Sequence, residues 1–331
     1  MNGRRPANDE SGATLAIVAI CLVVILGMAA LVVDVGGMLV ARRHLVLATD
    51  AAALASAGSC VRGQLDDAAQ ADTYAADNVS GAVRDAIDDS TCTQGTGSVS
   101  VAYHVDQPLF FAPVLGFGRT QTITARATAS WQPAGIAPAI PIEVSTTEGV
   151  FPCMDQAWGT DCNYWHDNNN VPLPNDSDWG FMNFDQWDVP ARASCHNPGV
   201  GSLEHWIRFG QYLTLADPGP TYVCVSHGHE MTTWATAVRA DIGKLEVFPV
   251  NDPDQAIRAN GVQKYAIVGF AELRVKNVLR GDGPAGLQAC PGHAADSNAV
   301  CVVATWEGFQ IGGQEGQGGL DFGLRVLRLS S

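Results

Sequence analysis

Residues 14–33 read TLAIVAICLVVILGMAALVV, twenty residues without a charged side chain. At about 1.5 Å per residue, a helix of that length matches a hydrocarbon core of about 30 Å, which predicts one transmembrane helix. A cleaved signal peptide would have a shorter apolar region with a small-residue cleavage site close behind it. A tidy candidate site, Ala55-Ser56-Ala57, lies far downstream in an Ala-rich helical pattern. Beyond the apolar run, Leu39/Val40, Val46/Leu47 and Ala53/Leu54 recur every seven residues between Arg42, Arg43 and Asp50. The helix is therefore expected to continue to about Ala57 and to stop at Gly58. Leu39, Val46, Leu47 and Leu54 form its candidate packing seam, directed at a partner helix or at the chain's own sheet. A second Ala-rich stretch, 65–89, predicts another helix, with Asp66 and Asp67 at its positive N-terminus and Gly81 as a candidate break.

The period then changes to two. Val99, Val101, Tyr103 and Val105 alternate with polar or small residues, as do Ile123, Ala125, Ala127, Ala129 and Trp131, and both runs read as half-buried strands. The intervening LFFAPVLGFG is too apolar for an ordinary loop and is expected to pack on the sheet or on the long helix. Residues 132–141 hold three prolines and no charge, the composition of a semi-rigid connector. Further strands are expected over 222–226, 245–250, 265–275, 300–311 and 320–329, with one helix over 232–242. The predicted fold is α+β: a long N-terminal transmembrane helix with a small antiparallel sheet, then a β-rich, disulfide-stapled extracytoplasmic domain. The expected division is 1–131, a linker over 132–141, and 142–331.

Composition narrows the function. The chain has 331 residues and a net charge of −15, with 19 basic residues spread along it. Phosphate-backbone binding needs a clustered basic surface, so nucleic acid is not an expected partner. Arg4 and Arg5 before the span are matched by Arg42 and Arg43 after it, so the positive-inside rule gives no orientation. Cysteine decides instead. Outside the span lie Cys60, Cys92, Cys153, Cys162, Cys195, Cys224, Cys290 and Cys301, an even number with no C-x-x-C spacing, which reads as disulfides. Disulfides belong to oxidising compartments, so the expectation is a single-pass protein of the plasma (inner) membrane, its N-terminus cytoplasmic and its bulk extracytoplasmic. Connectivity is not fixed by sequence; neighbours in order would give 60 with 92, 153 with 162, 195 with 224 and 290 with 301.

The order of features in 11–58 is specific: a short Arg-bearing tail, a membrane helix ending in VDVGG, then ARRHLVLATDAAALASAG. This resembles the TadE/TadG-like family of Flp pilus assembly proteins of the bacterial tight-adherence system, in particular the TadG-like N-terminus. The resemblance extends more loosely through Tyr74-Ala75-Ala76-Asp77-Asn78, PLFFAPVLGFG and TITARATASW to about Trp131. It implies a pilin-like, non-enzymatic membrane protein that assembles or anchors thin surface pili, with other assembly proteins or pilin subunits as partners. It carries no catalytic residues over. Ile17 stands at the fifth place after Gly12, where the prepilin-peptidase pattern has Glu, and no D-x-S-x-S metal loop is present.

Other candidate chemistry is thinner. His227, His229 and Glu230 fail the HExxH pattern at Thr233 and read better as a solvated strand end than as a metal site. Gly281, Gly283 and Gly286 match the letters of a dinucleotide loop, but Pro284 and Cys290-Pro291 argue for a stapled loop. No nucleophile motif, cofactor site or metal site is predicted, apart from a weak calcium candidate within 167–180, where Asp167 to Asp178 supply hard oxygen ligands but ordinary turn chemistry is the better explanation. Trp158, Tyr164, Trp165, Trp179, Phe181, Phe184 and Trp187 crowd together, which gives an alternative function: an envelope-binding or adhesion module that grips polysaccharide through this domain. Core packing is the commoner use of such aromatics. Asp34 follows the apolar run directly, where it meets water at the bilayer edge or, in a rod of packed subunits, a neighbour's cation.

Overall fold

The computed structural model describes residues 11–63, 67–92, 95–142, 144–146, 181–196, 200–216, 219–226, 237–259, 262–280, 300–306, 310–316 and 319–330. Helix α1, Ser11–Val61, is unbroken over 51 residues, a rod of about 75 Å. Among the described residues, nothing packs on its apolar window. Burial begins at Asp34 and, from Leu45 on, follows a helical stripe of mostly small residues, Ala48, Thr49, Ala52, Ser56 and Ser59 among them. The helix passes through Gly58 and ends later than its sequence suggests. A Cβ at Gly58 would lie 3.3 Å from the movable end of Arg62 and 3.6 Å from Ile311, an ordinary contact, so Gly58 sits inside the helix without breaking it. The stop is Gly63, at φ +68°, whose N–H donates to the Cys60 carbonyl.

Helix α2, Asp67–Asn78, runs back beside α1 and buries Ala71 and Ala75 against it. The predicted helix over 65–89 is thus half right in extent. Gly81 turns the chain at φ +82°, and 83–88 becomes strand β1, Val83–Asp88, which pairs antiparallel with β2, Gly97–Pro108. Strand β3, Thr120–Pro133, pairs with β2 along its whole length, from Gly97↔Trp131 to Pro108↔Thr120. Val99, Val101 and Tyr103 on one strand and Ile123, Ala125, Ala129 and Trp131 on the other point onto α1, as the two-residue period requires.

Strand β4, Ile136–Ala139, occupies the Pro-rich segment and enters the second sheet. That sheet has ten strands among the described residues: β4 with β5 (Val144–Ser145), β6 (Phe181–Met182), β7 (Gln211–Thr214), β8 (Thr221–Ser226), β9 (Leu245–Asn251), β10 (Ile257–Ala259), β11 (Val262–Arg280), β12 (Val300–Trp306) and β14 (Leu320–Asp321). The long β11 is its spine, bonded to β8, β9, β10, β12 and β14. One helix, α3, Val200–Phe209, buries Leu203, Trp206 and Ile207 in the larger core.

The last strand, β15, Leu324–Ser330, returns to the first sheet and pairs antiparallel with β3, and β13, Gln310–Ile311, pairs with it in parallel. The first sheet, in the order β1-β2-β3-β15-β13, is therefore mixed rather than purely antiparallel. Arg325 holds this return. Its buried guanidinium reaches Asp321 at 2.6 Å and donates to the Val61 carbonyl at the C-terminal end of α1. Where the two sheets meet, Gly135 and Gly316 touch through their backbones; a Cβ on Gly135 would lie 2.6 Å from the Cα of Gly316.

Two disulfides are described, Cys60–Cys92 and Cys195–Cys224. Cys21, in the apolar span, is a free thiol. Cys153, Cys162 and Cys290 lie outside the described residues, and of Cys301 only its place on β12 is described.

The larger sheet carries a titratable pair. Burial, and then the Asp241 carboxylate, push Glu246 on β9 up to about 7, and burial raises Glu272 on β11 in the same direction. The folded-state pKa of Glu246 lies above its ordinary 4.5, so the native state holds the proton more firmly than the unfolded chain. The stability this contributes is full below the ordinary value and is lost as the pH rises through the folded one. The melting temperature of the full chain should fall between about pH 5 and pH 8, and Glu246→Gln should flatten that fall by a few degrees. Equal slopes in variant and wild type would remove Glu246 as the cause.

Candidate functional site

The chemistry of the chain concentrates where α1 leaves its apolar span. Asp34 is 9% exposed and accepts hydrogen bonds from three successive backbone N–H groups. Its Oδ1 takes Phe110 at 2.8 Å and its Oδ2 takes Phe111 at 3.0 Å and Ala112 at 2.7 Å. These groups open a short 3-10 turn, Ala112–Leu115, which Gly116 ends at φ +84°. The turn lies at the tip of the β2–β3 hairpin, closed by a bond from the Leu109 N–H to the Arg119 carbonyl at 2.8 Å. Asp34 therefore has partners within the chain itself. It accepts from its own chain and ties the hairpin tip to the helix.

Above Asp34 the helix divides into two faces. Leu45, Ala48 and Ala52 face the sheet, whereas Leu39, Val40 and Leu47 are 58%, 55% and 64% exposed. Of the predicted seam, Leu39, Val46 and Leu47 point outward and Leu54 packs on the core. The seven-residue pattern does not keep to one side, because a straight helix drifts about 20° per heptad. α2 and β15 also wrap the last turns of α1. Two shallow grooves flank the exposed ridge. One is lined by Val35, Met38, Arg42 and Thr122, the other by Gly36, His44, Asn78 and Val105.

Beneath this ridge Tyr103 is buried, and its hydroxyl donates to Asp72 on α2 at 2.9 Å. Burial, with the Asp72 carboxylate adding to it, raises the phenol well above its ordinary range, so it stays a donor at any working pH. Arg84 on β1 completes the link by pairing with Asp72 at 3.1 Å.

Residues 12–59 match the Tad family, TadE/G-like Flp pilus-assembly. The match falls entirely on α1 and takes in the apolar span, Asp34 and the outward ridge. No curated protein and no solved structure matches the chain. An N-terminal helix long and apolar enough to cross a membrane, together with the Tad match, points to a Flp pilus assembly-related membrane protein.

The remaining candidates of the sequence are distributed as follows. His227, His229 and Glu230, the oxygen-rich run 167–180, the glycines 281–286, and Trp158, Tyr164, Trp165 and Trp179 lie outside the described residues, as does 232–236 of the predicted helix, of which 237–239 is helical. Phe184 is buried and packs on Trp206 with ring centroids 5.3 Å apart and edge-on to Trp187 at 5.9 Å, so these members of the aromatic run serve the core. Among the described residues, no group of three or more His, Cys, Asp or Glu could hold a metal ion.

Proposed function

We propose that the chain is a non-enzymatic, pilin-like component of Flp pilus assembly, anchored in the inner membrane by 14–33 with its N-terminus cytoplasmic and its bulk outside. The observation that carries this reading is the outward ridge of α1. Leu39, Val40 and Leu47 stay exposed on the helix that bears the Tad match, which suits packing against helices of pilin subunits or other assembly proteins. The orientation rests on the disulfides, which favour an oxidising compartment for everything beyond the span.

The test is recovery of sheared surface pilin from native cells with and without the gene. Deletion should abolish it and the wild-type gene, supplied in trans, should restore it. Leu47→Glu, an exposed position that leaves the core intact, should accumulate to normal levels with its Cys60–Cys92 bridge formed, yet restore less than about a tenth of the pilin. Unchanged pili in the deletion strain would overturn the assembly role. Full rescue by Leu47→Glu would overturn the ridge as its docking face.

A further inference from the structure

The hairpin tip that Asp34 holds carries an apolar surface that no described residue covers. Phe110, Val114 and Phe117 are 70%, 83% and 68% exposed, with Phe111 at 43% beside them, and 109–118 contains no charged residue. A loop exposed on the water side of a domain would ordinarily be polar. Its position supplies the reason. Strand β3 passes Val35, Met38 and Arg42 at Thr122–Thr124, so the hairpin descends α1 toward the apolar span. Its tip is then bonded to the first residue beyond Val33. The turn is also ordered by its own bonds, from Gly116 N–H to the Pro113 carbonyl and from Phe117 N–H to the Ala112 carbonyl, so its side chains are displayed from a fixed backbone.

We infer that the 109–118 turn is a second membrane contact, its Phe110, Val114 and Phe117 side chains inserted among lipids beside the transmembrane helix while Asp34 fixes its depth. The continuity with the span argues for lipid rather than a protein partner: a turn bonded to residue 34 sits at the boundary where the hydrocarbon ends. Apolar groups placed there are buried about 5–10 Å into the headgroup and acyl boundary. A helix crossing the bilayer alone is free to rotate about its axis and to tilt. A wedge held rigidly to one side of it fixes which face of α1 the membrane-proximal domain presents. The inference rests on the reading that 14–33 spans the bilayer, and the test separates the two.

The purified full chain is reconstituted in vesicles of phosphatidylethanolamine with a minority of phosphatidylglycerol. It carries a photoreactive benzoylphenylalanine in place of Val114, of Ile25 in the middle of the span, or of Asp88 at the far end of the hairpin sheet. Lipid adducts are quantified by mass spectrometry. Val114 should give a lipid yield comparable to Ile25 and at least about fivefold above Asp88. Asp34→Ala should lower the Val114 yield toward that of Asp88 and leave Ile25 unchanged. A Val114 yield at the Asp88 level, or adducts to a second copy of the chain in place of lipid, would overturn the inference while Ile25 still reports a spanning helix. Ile25 at the Asp88 level would overturn the spanning reading and the inference with it. A Val114 yield that survives Asp34→Ala would remove Asp34 as the positioning residue.

Discussion

Replacing both Cys60 and Cys92 with alanine should lower the stability of the helix-and-sheet unit by about 3–4 kcal/mol, the loop-closure entropy expected for this separation. The bridge closes a loop of sequence separation 32, spanning α2 and β1, and it joins the last turn of α1 to the turn that feeds β2. The described part of that turn is also held by Thr91 Oγ1, which accepts from the Ser98 N–H at 2.8 Å and donates to the Ser98 carbonyl at 2.9 Å. The double substitution avoids a stranded thiol and leaves only small side chains, so the loss reads the tether itself. Thermal unfolding of the detergent-solubilised full chain, followed by near-ultraviolet circular dichroism of the buried Trp131, should show a melting temperature lower by roughly 10 °C. A shift under about 2 °C would mean that helix packing alone restrains the unfolded loop.

How far such an arrangement is visible in sequence depends on the range of the interaction that decides it. The apolar span and the alternation of Val99, Val101 and Tyr103 are local periodicities, and each survives in the structure because one face of each element meets one environment. The cysteines outside the span likewise announced disulfides by number and spacing. The strand over 83–88 was hidden because Arg84, Asp85, Ala86 and Asp88 have no strand preference of their own; antiparallel pairing with His104 to Ser100 makes it one. A glycine near the end of a helical pattern is a common stop, which is why Gly58 reads as one, whereas the left-handed residue that ends the helix is Gly63, five residues on.

The same logic governs the site. Asp34 stood out as an acid at a membrane edge, but its partners Phe110 and Ala112 are 76 and 78 residues away, and nothing local names them. What the sequence did carry was the unusual apolarity of LFFAPVLGFG. Its sense appears only when the hairpin places it beside the end of the span. The return of β15 to β3 is the most remote feature, since Arg325 and Val61 are 264 residues apart. Composition shifts at the Pro-rich segment could not foresee a sheet completed by the other end of the chain.

Lys264→Met should destabilise the larger unit by about 2–3 kcal/mol and lower its melting temperature by roughly 5–10 °C. Lys264 lies on β11 with no exposed surface, yet its ammonium donates to the carbonyls of Pro190, Ala191 and Ala193 at 2.8, 2.9 and 2.7 Å. Burial lowers its pKa, and the three carbonyls supply the acceptors that a buried ammonium demands. The segment it grips is held at its other end by Cys195–Cys224 and by Gln186, whose side chain donates to the Ser194 carbonyl and accepts from the His196 N–H. Methionine matches the length of lysine but offers no donor, so three carbonyls lose the ammonium at once, and of them Pro190 keeps the Ala193 N–H. Exchanging buried ions for apolar groups of similar volume often costs nothing when both partners are replaced. Here only one partner is replaced, and the carbonyls remain. Thermal unfolding decides the matter together with limited proteolysis, which should cut 190–194 faster in Lys264→Met while the bridge keeps the rest of the fold. A variant as stable as wild type would show that water reaches those carbonyls and that the ammonium contributes position rather than stability.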